Sequence, residues 1–301
     1  MQRIPLAAGG PECSRLVYGT WRLLADHPTP QQVNERLQLC LELGITTIDT
    51  AEIYGGYEVE EMLGRALALS PGLRDKLELV TKAGIYVPNR FHPERRTAHY
   101  NASGARLVKS LEKSLRLLGT DHVELFLVHR PDWLTPATDT AAGLNGLLRA
   151  GQIRAAGVSN FSTAQVELLN AHMERPLATN QLEFHLLRME PIYDGTFAQC
   201  EQLGVRPMAW SPLAGGRLFD PQNAAAQRLA TAAASLAQRY GGATLEQLAY
   251  AWLLAHPSQP LPIIGTNKPE RIRSAAAAAD ITLEREDWYA LWEAAQGRRI
   301  P

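Results

Sequence analysis

No G-x-G-x-x-G occurs in this chain, so a Rossmann cofactor site has no footing. Walker A, H-E-x-x-H and G-x-S-x-G sequences are also missing, which removes support for P-loop, zinc-protease and α/β-hydrolase chemistry. Cysteine is scarce. Cys13, Cys40 and Cys200 are odd in number and far apart, so they form neither a disulfide framework nor a zinc pattern. They read as reduced structural thiols of a cytoplasmic protein, with no metal site. An excess of one charge is lacking too: 30 basic and 31 acidic residues give a net charge of −1, with no electrostatic footprint for nucleic acid. No apolar run reaches membrane-spanning length. The start, Met1-Gln2-Arg3-Ile4-Pro5-Leu6, has no long apolar h-region, so no signal peptide is expected. The sequons at Asn101-Ala102-Ser103 and Asn160-Phe161-Ser162 are then coincidental.

What is present is alternation. A hydrophobic share of 46% and a charged share of 20% suit a soluble globular protein. Strand-like runs at Leu16–Thr20, Thr46–Asp49, Leu77–Lys82, Val123–His129, Ile153–Ser159, Ala178–Leu182, Val205–Trp210 and Leu261–Gly265 alternate with helix-like stretches. Those stretches are Pro30–Leu43, Glu58–Leu69, Ser103–Leu118, Thr138–Ala150, Thr163–Ala171, a segment around Gly195–Leu203, and Pro269–Ala279. The pattern predicts eight βα units, hence a (β/α)8 barrel in one domain spanning residues 1–301. Glu284–Ala295 reads as an added wall helix. Two connections, Gly84–Ala102 and Ser211–Thr244, are longer than a barrel needs and are expected to carry function. Within the second, Ala224–Ala237 reads as an amphipathic helix.

Asp49, Lys82 and His129 end three of the strand-like runs, and Tyr54 follows Asp49 by five residues. In a parallel barrel, catalytic groups gather at the C-terminal strand ends. A carboxylate, a phenol, an ammonium and an imidazole converging there make a proton-donating site for a carbonyl. Each taken alone has a plainer explanation as a cap, a loop-packing residue or a solvated strand end. Asp-x4-Tyr after strand two, Lys on strand three and His on strand four together resemble the catalytic pattern of the aldo-keto reductases. The resemblance extends through Gly44-Ile45-Thr46-Thr47-Ile48-Asp49-Thr50-Ala51-Glu52-Ile53-Tyr54-Gly55, Gly157-Val158-Ser159-Asn160-Phe161 and Ile263 to Ile272. Ala209-Trp210-Ser211 and Pro262-Ile263-Ile264-Gly265 are similar to a bacterial group of little-characterised predicted oxidoreductases within that superfamily.

This resemblance implies an enzyme that binds NADP(H) without a Rossmann fold and reduces aldehydes or ketones by hydride transfer. Tyr54 is then the general acid, with its pKa lowered from about 10 by Lys82. Asp49 holds Lys82, and His129 orients the carbonyl. Ser159, Asn160 and Gln181 correspond to carboxamide-binding positions. Trp210, where many members have Tyr, corresponds to the ring that stacks on the nicotinamide. Ser211, Pro212, Leu213, Gly215, Gly216 and Arg217 correspond to a loop along the pyrophosphate. Gly19, Thr20 and Trp21 are expected to touch cofactor and substrate. Gly265, Thr266, Asn267, Lys268 and Arg271 match the 2′-phosphate segment at a helix N-terminus. Many relatives carry Lys where this chain has Gly265, which weakens the preference for NADP(H) over NAD(H) without removing it.

Trp21, Ile53, Tyr86, His99, Tyr100 and Arg130 are the expected substrate-pocket residues, placed mainly by their loops. The chain ends soon after its last helix, so an open, broad pocket for a small carbonyl substrate is expected. No nucleic-acid or membrane partner is expected, and the oligomeric state stays open. The alternative is a non-enzymatic NADP(H)-binding sensor or regulatory subunit resembling potassium-channel β-subunits. Against it stands the lack of a long N-terminal extension. A degenerate barrel serving as an interaction module is a further rival, at odds with an intact tetrad.

Overall fold

The computed structural model describes residues 1–300. β1 (Arg3–Pro5) and β2 (Glu12–Ser14) form an antiparallel hairpin. Next come β3 (Val17–Gly19), α1 (Pro30–Glu42), β4 (Thr47–Asp49), α2 (Val59–Ala68) and β5 (Glu78–Ala83). A small hairpin, β6 (Ile85–Tyr86) with β7 (His99–Tyr100), precedes α3 (Gly104–Leu118). β8 (Val123–Val128), α4 (Ala137–Arg149), β9 (Ile153–Ser159), α5 (Thr163–Asn170) and β10 (Asn180–Glu183) continue the alternation. α6 (Glu190–Tyr193), α7 (Thr196–Leu203), β11 (Met208–Trp210), α8 (Ala224–Leu236) and α9 (Leu245–Leu254) follow. β12 (Leu261–Ile264), α10 (Pro269–Ala278) and α11 (Arg285–Gln296) complete the chain. Eight parallel strands close a barrel in chain order, β3-β4-β5-β8-β9-β10-β11-β12 and back to β3. This is the (β/α)8 architecture expected from the sequence.

Strand pleating decides what faces inward, because successive side chains alternate. On β5, Leu79 and Ala83 pack outward under the helices, Val80 joins the interior, and Lys82 occupies the next inward position. On β8, Phe126 and Val128 pack outward while Leu125 and Leu127 fill the interior, so His129 comes next on the inside. On β4, Ile48 faces outward and leaves Asp49 inward. Below this level the interior is apolar. Ile4, Leu6 and Cys13 of the N-terminal hairpin segment pack there with Val17, Val80, Leu125, Met208 and Leu261. The hairpin thus closes the barrel end opposite the tetrad. At Gly19 a Cβ would lie 2.6 Å from Ile263 Cγ2, so β3 reaches β12 only because this residue lacks one.

Four features were not expected from the sequence: the hairpins β1–β2 and β6–β7, the short α6, and α9. α9 follows α8 in the connection between β11 and β12, packs against β12 and α10, and carries the fully buried Trp252. α8, within the stretch read from the sequence as an amphipathic helix, packs against α11. The capping box at Thr244 and Gln247 marks the start of α9 (3.0 and 3.3 Å). The expected seventh strand begins at Met208 rather than Val205. Pro207 offers no amide to the ladder, and Arg206 N–H donates to Leu6 O at 2.8 Å. The sixth likewise starts at Asn180 rather than Ala178. No helix of the described residues is long and apolar enough to cross a membrane.

Because Leu6 is fully buried in the interior cluster, Leu6→Ala should lower stability by about 2–5 kcal/mol. Leu134→Ala, at an exposed position, should change it by less than about 0.5 kcal/mol. Urea unfolding followed by circular dichroism measures both. An unchanged midpoint for Leu6→Ala would show that the hairpin is not part of the core.

Candidate active site

Lys82 has no exposed surface and spends all three N–H bonds inside the protein. They go to Asp49 Oδ1 at 2.6 Å, Thr50 O at 2.8 Å and Tyr54 Oη at 3.0 Å. Asp49 Oδ2 accepts from Gln181 Nε2 at 2.7 Å. The result is one linear network, Gln181–Asp49–Lys82–Tyr54. The His129 ring stands edge-on to Tyr54, with centroids 5.9 Å apart. Its Nδ1 is buried without a hydrogen-bond partner.

The electrostatics follow from burial. Burial alone would push the Lys82 pKa down, but Asp49 and Tyr54 hold it above the ordinary lysine value. The Tyr54 pKa is raised by burial, and the Lys82 charge only limits the rise. This corrects the sequence expectation of a lowered phenol pKa. The Tyr54 proton is therefore firmly held at neutral pH. Burial, then the charges of Lys82 and Arg130, keep the His129 pKa well below 6.5, so its imidazole is neutral.

A cleft of about 390 Å³ opens above this network. Asp49, Tyr54, His129, Gly19, Trp21, Arg130, Ser159, Asn160, Gln181, Trp210, Ser211, Pro212, Leu213, Gly215, Gly216, Gly265, Thr266 and Arg271 all line it. Lys82 lies beneath the wall. The polar side chains are held in order. Ser159 Oγ donates to Gln181 O at 2.9 Å, Asn160 Nδ2 to Ser159 Oγ at 2.7 Å, and Trp210 Nε1 to Asn160 Oδ1 at 3.1 Å. Asn160 and Ser211, which follow β9 and β11, both adopt left-handed backbone (φ 59° and 53°). Non-glycine residues hold that conformation only where their surroundings impose it. The Arg130 guanidinium lies over the Trp210 ring at 5.9 Å. Arg271 is gripped by Glu246 of α9 through Nη2 at 2.9 Å and Nε at 3.2 Å.

Other expected residues lie elsewhere. Thr20 is fully buried, and both its N–H and its hydroxyl donate to Asp49 O at 2.9 Å, so it braces the strand end. Arg217 points away to Ala214 O and Glu183. Asn267 ties its loop to Arg22 O and Asp26, at 2.8 and 2.7 Å. Lys268, Ile53 and Tyr100 do not border the cleft. Tyr86 and His99 stack on each other across β6–β7, and that hairpin turns both into a separate cavity. The sequence reading missed Arg22, Tyr250 and Ile263, which line the cleft. Arg22 follows Trp21 directly, and Ile263 is the inward neighbour of Gly19, so both had a signal. Tyr250 sits on the unrecognised α9.

The Aldo/keto reductase family profile matches residues 15–296. A 6-dehydroglucose reductase from Agrobacterium fabrum (strain C58) is 44% identical, with 100% of both chains covered. Oxidoreductase YdhF from Escherichia coli (strain K12) is 43% identical, also with 100% of both chains covered. The crystal structure of an aldo/keto reductase from Klebsiella pneumoniae in complex with NADP and acetate is 30% identical, with a TM-score of 0.76 over 96% of this chain and 94% of that one. Barrel, tetrad and sequence likeness agree: the chain belongs to the aldo/keto reductase family and is an oxidoreductase.

Proposed function

We propose that this oxidoreductase reduces the carbonyl of a small aldehyde or ketone, with NADP(H) as cofactor and the Tyr54 phenol as general acid. The single observation behind this assignment is the network Gln181–Asp49–Lys82–Tyr54, which ends on a phenol facing the cleft. When bound, the cofactor supplies a hydride. As negative charge grows on the carbonyl oxygen, Tyr54 donates its proton to it. The Lys82 ammonium, 3.0 Å from Tyr54 Oη, then stabilises the phenolate. Lys82 stays in place because Asp49 and Thr50 hold its other two N–H bonds. Neutral His129 offers a hydrogen bond to the carbonyl without adding a charge.

The donor set of the cleft suits a nicotinamide dinucleotide. Asn160 keeps one amide N–H, and the oxygens of Gln181 and Ser159 keep acceptor capacity, which matches a carboxamide. Arg130 covers one face of Trp210, leaving the other for the nicotinamide ring. Gly215 and Gly216 present backbone to a pyrophosphate, and a side chain at Gly216 would meet nothing within 4 Å. Thr266 and Arg271 suit a 2′-phosphate. Gly265 lacks the lysine of many relatives, but Arg22 Nη1 lies 4.0 Å from where its Cβ would be. Arg22 therefore returns the missing positive charge from the loop after the neighbouring strand β3, which favours NADP(H). The complex of the Klebsiella relative with NADP supports this choice. The Agrobacterium relative's name, 6-dehydroglucose reductase, points to a sugar aldehyde. Trp21, 70% exposed at the mouth, offers a flat face for a sugar. Nothing in the site favours a sensor without turnover.

Steady-state NADPH oxidation against aldehydes, sugar aldehydes and ketones tests this proposal. Tyr54→Phe should lower kcat by roughly 10²–10⁴ with NADPH affinity nearly unchanged; near-normal turnover would refute the acid assignment. Turnover should be flat through roughly pH 6–8, because His129 is already neutral there. It should fall only above the ordinary tyrosine value of 10, as Tyr54 loses its raised-pKa proton. A limb near pH 6.5 would contradict the neutral imidazole. Lys82→Met leaves Asp49 buried without its cation and should cost about 3–5 kcal/mol of stability together with most activity. Unchanged thermal and urea midpoints would rule out that dependence. For cofactor choice, Arg271→Ala and Arg22→Ala should each weaken NADPH about tenfold and NADH little, since each removes one screened, charge-assisted contact. Tryptophan-fluorescence titration measures this, and equal losses for both cofactors would refute the phosphate assignment.

A further inference from the structure

Tyr86 and His99 face a second cavity of about 330 Å³, which shares no lining residue with the cleft. It lies between the β6–β7 hairpin and α3, and two independent features mark it. The first is charge. Arg106, Lys109, Lys113 and Arg116 recur at helical spacing on one face of α3 and all line the cavity. Arg106, Lys109 and Arg116 have no carboxylate within 4.0 Å among the described residues. Like charges at such spacing repel, and of the four only Lys113 has a carboxylate within 4.0 Å among the described residues, that of Glu52. The second is Glu52. It is 5% exposed and lines the cavity, and its Oε2 is buried without a hydrogen-bond partner. Its only close cation is Lys113, 4.0 Å from Oε1. A buried carboxylate oxygen left unpaired is costly and calls for a donor.

We propose that this cavity binds a small organic phosphate that also carries a hydroxyl group, a monosaccharide phosphate being the fitting class. The phosphate would meet Arg106, Lys109 and Arg116 through charge-assisted hydrogen bonds. The hydroxyl would donate to Glu52 Oε2. A bare anion would leave that oxygen unmet and repelled. A neutral sugar would leave the cations unneutralised. The volume falls at the lower end of ligand pockets, which suits a single sugar ring and not a dinucleotide.

Isothermal titration calorimetry on the intact protein tests this, with glucose 6-phosphate, inorganic phosphate and glucose as probes. Glucose 6-phosphate should bind saturably at one site, inorganic phosphate at least tenfold more weakly, and glucose not at all. Arg106→Ala and Lys109→Ala, both at exposed positions where the fold tolerates change, should each weaken glucose 6-phosphate at least tenfold. Glu52→Gln should shrink its advantage over inorganic phosphate. Arg271→Ala, in the other cleft, should leave the affinity unchanged. The assignment is overturned if glucose 6-phosphate shows no saturable binding, or if inorganic phosphate binds equally well. It is also overturned if binding survives Arg106→Ala and Lys109→Ala but is lost in Arg271→Ala.

Discussion

A lysine ammonium without exposed surface lies 2.6 Å from a carboxylate at the floor of the cleft, and the rest of the site is arranged around it. Taking two charges out of water costs several kcal/mol per ion, and their attraction offsets this only if the remaining donors and acceptors are met. Here they are. Thr50 O and Tyr54 Oη take the other Lys82 protons, and Gln181 covers the second Asp49 oxygen. Gln181 stands on β10, four strands from β4 around a closed ring of eight. The Asp49–Gln181 bond therefore spans the barrel interior. A shift of one residue in β4, β5 or β10 would turn one of these groups outward and strand the others.

That constraint also separates the roles of the surrounding groups. Cationic Lys82 opposes a second positive charge nearby, and burial does the same, so His129 stays neutral. Tyr54 lies between opposing influences: burial keeps its proton on, and Lys82 makes the phenolate tolerable. A phenol that holds its proton at rest, yet stands 3.0 Å from a cation fixed by two other partners, suits proton donation. At the far end of the cleft, positive charge comes from two walls. Arg271 is aimed by Glu246, and Arg22 approaches Gly265 from the β3 side. Glu246 gives Arg271 a fixed direction but also shares its charge, so an anion there must compete with a carboxylate already in place.

What was legible in the sequence was whatever depends on strand period and strand ends. Asp49, Lys82 and His129 follow alternating runs, so their inward direction and shared level follow from the pleat. Tyr54 and the residues after β9 and β11 were legible through the family resemblance. Loop-borne groups were not. Tyr86 and His99 were assigned to the substrate because their loop follows a catalytic strand, yet two residues of antiparallel pairing at β6–β7 turn both rings into another cavity. Thr20 was placed near a ligand by its position after β3, but its hydroxyl serves Asp49 O. Tyr250 was missed because α9 is apolar nearly all round, so no helical stripe stood out and only the capping box marked its start. The partner of Gln181 was also hidden, since it lies 132 residues away in sequence.

The segment from Asp49 to Tyr54 joins the two cavities. After β4 ends, its backbone keeps pairing with β5: Thr50 N–H donates to Val80 O at 2.8 Å and Glu52 N–H to Lys82 O at 3.0 Å. This stretch, which turns after Ala51 with Tyr54 N–H donating to Ala51 O at 3.1 Å, sends Asp49 and Tyr54 to the cleft and Glu52 to the cavity beside α3. Lys82 is bound at both ends, its ammonium to Asp49 and Tyr54 and its carbonyl to Glu52. Glu52 is therefore one backbone hydrogen bond away from the residue that carries the buried charge. Since that charge tolerates little movement before its partners are lost, the wall between the cavities has to be stiff. The continuous ladder from Thr47 to Glu52 supplies the stiffness that a flexible loop at this position would lack.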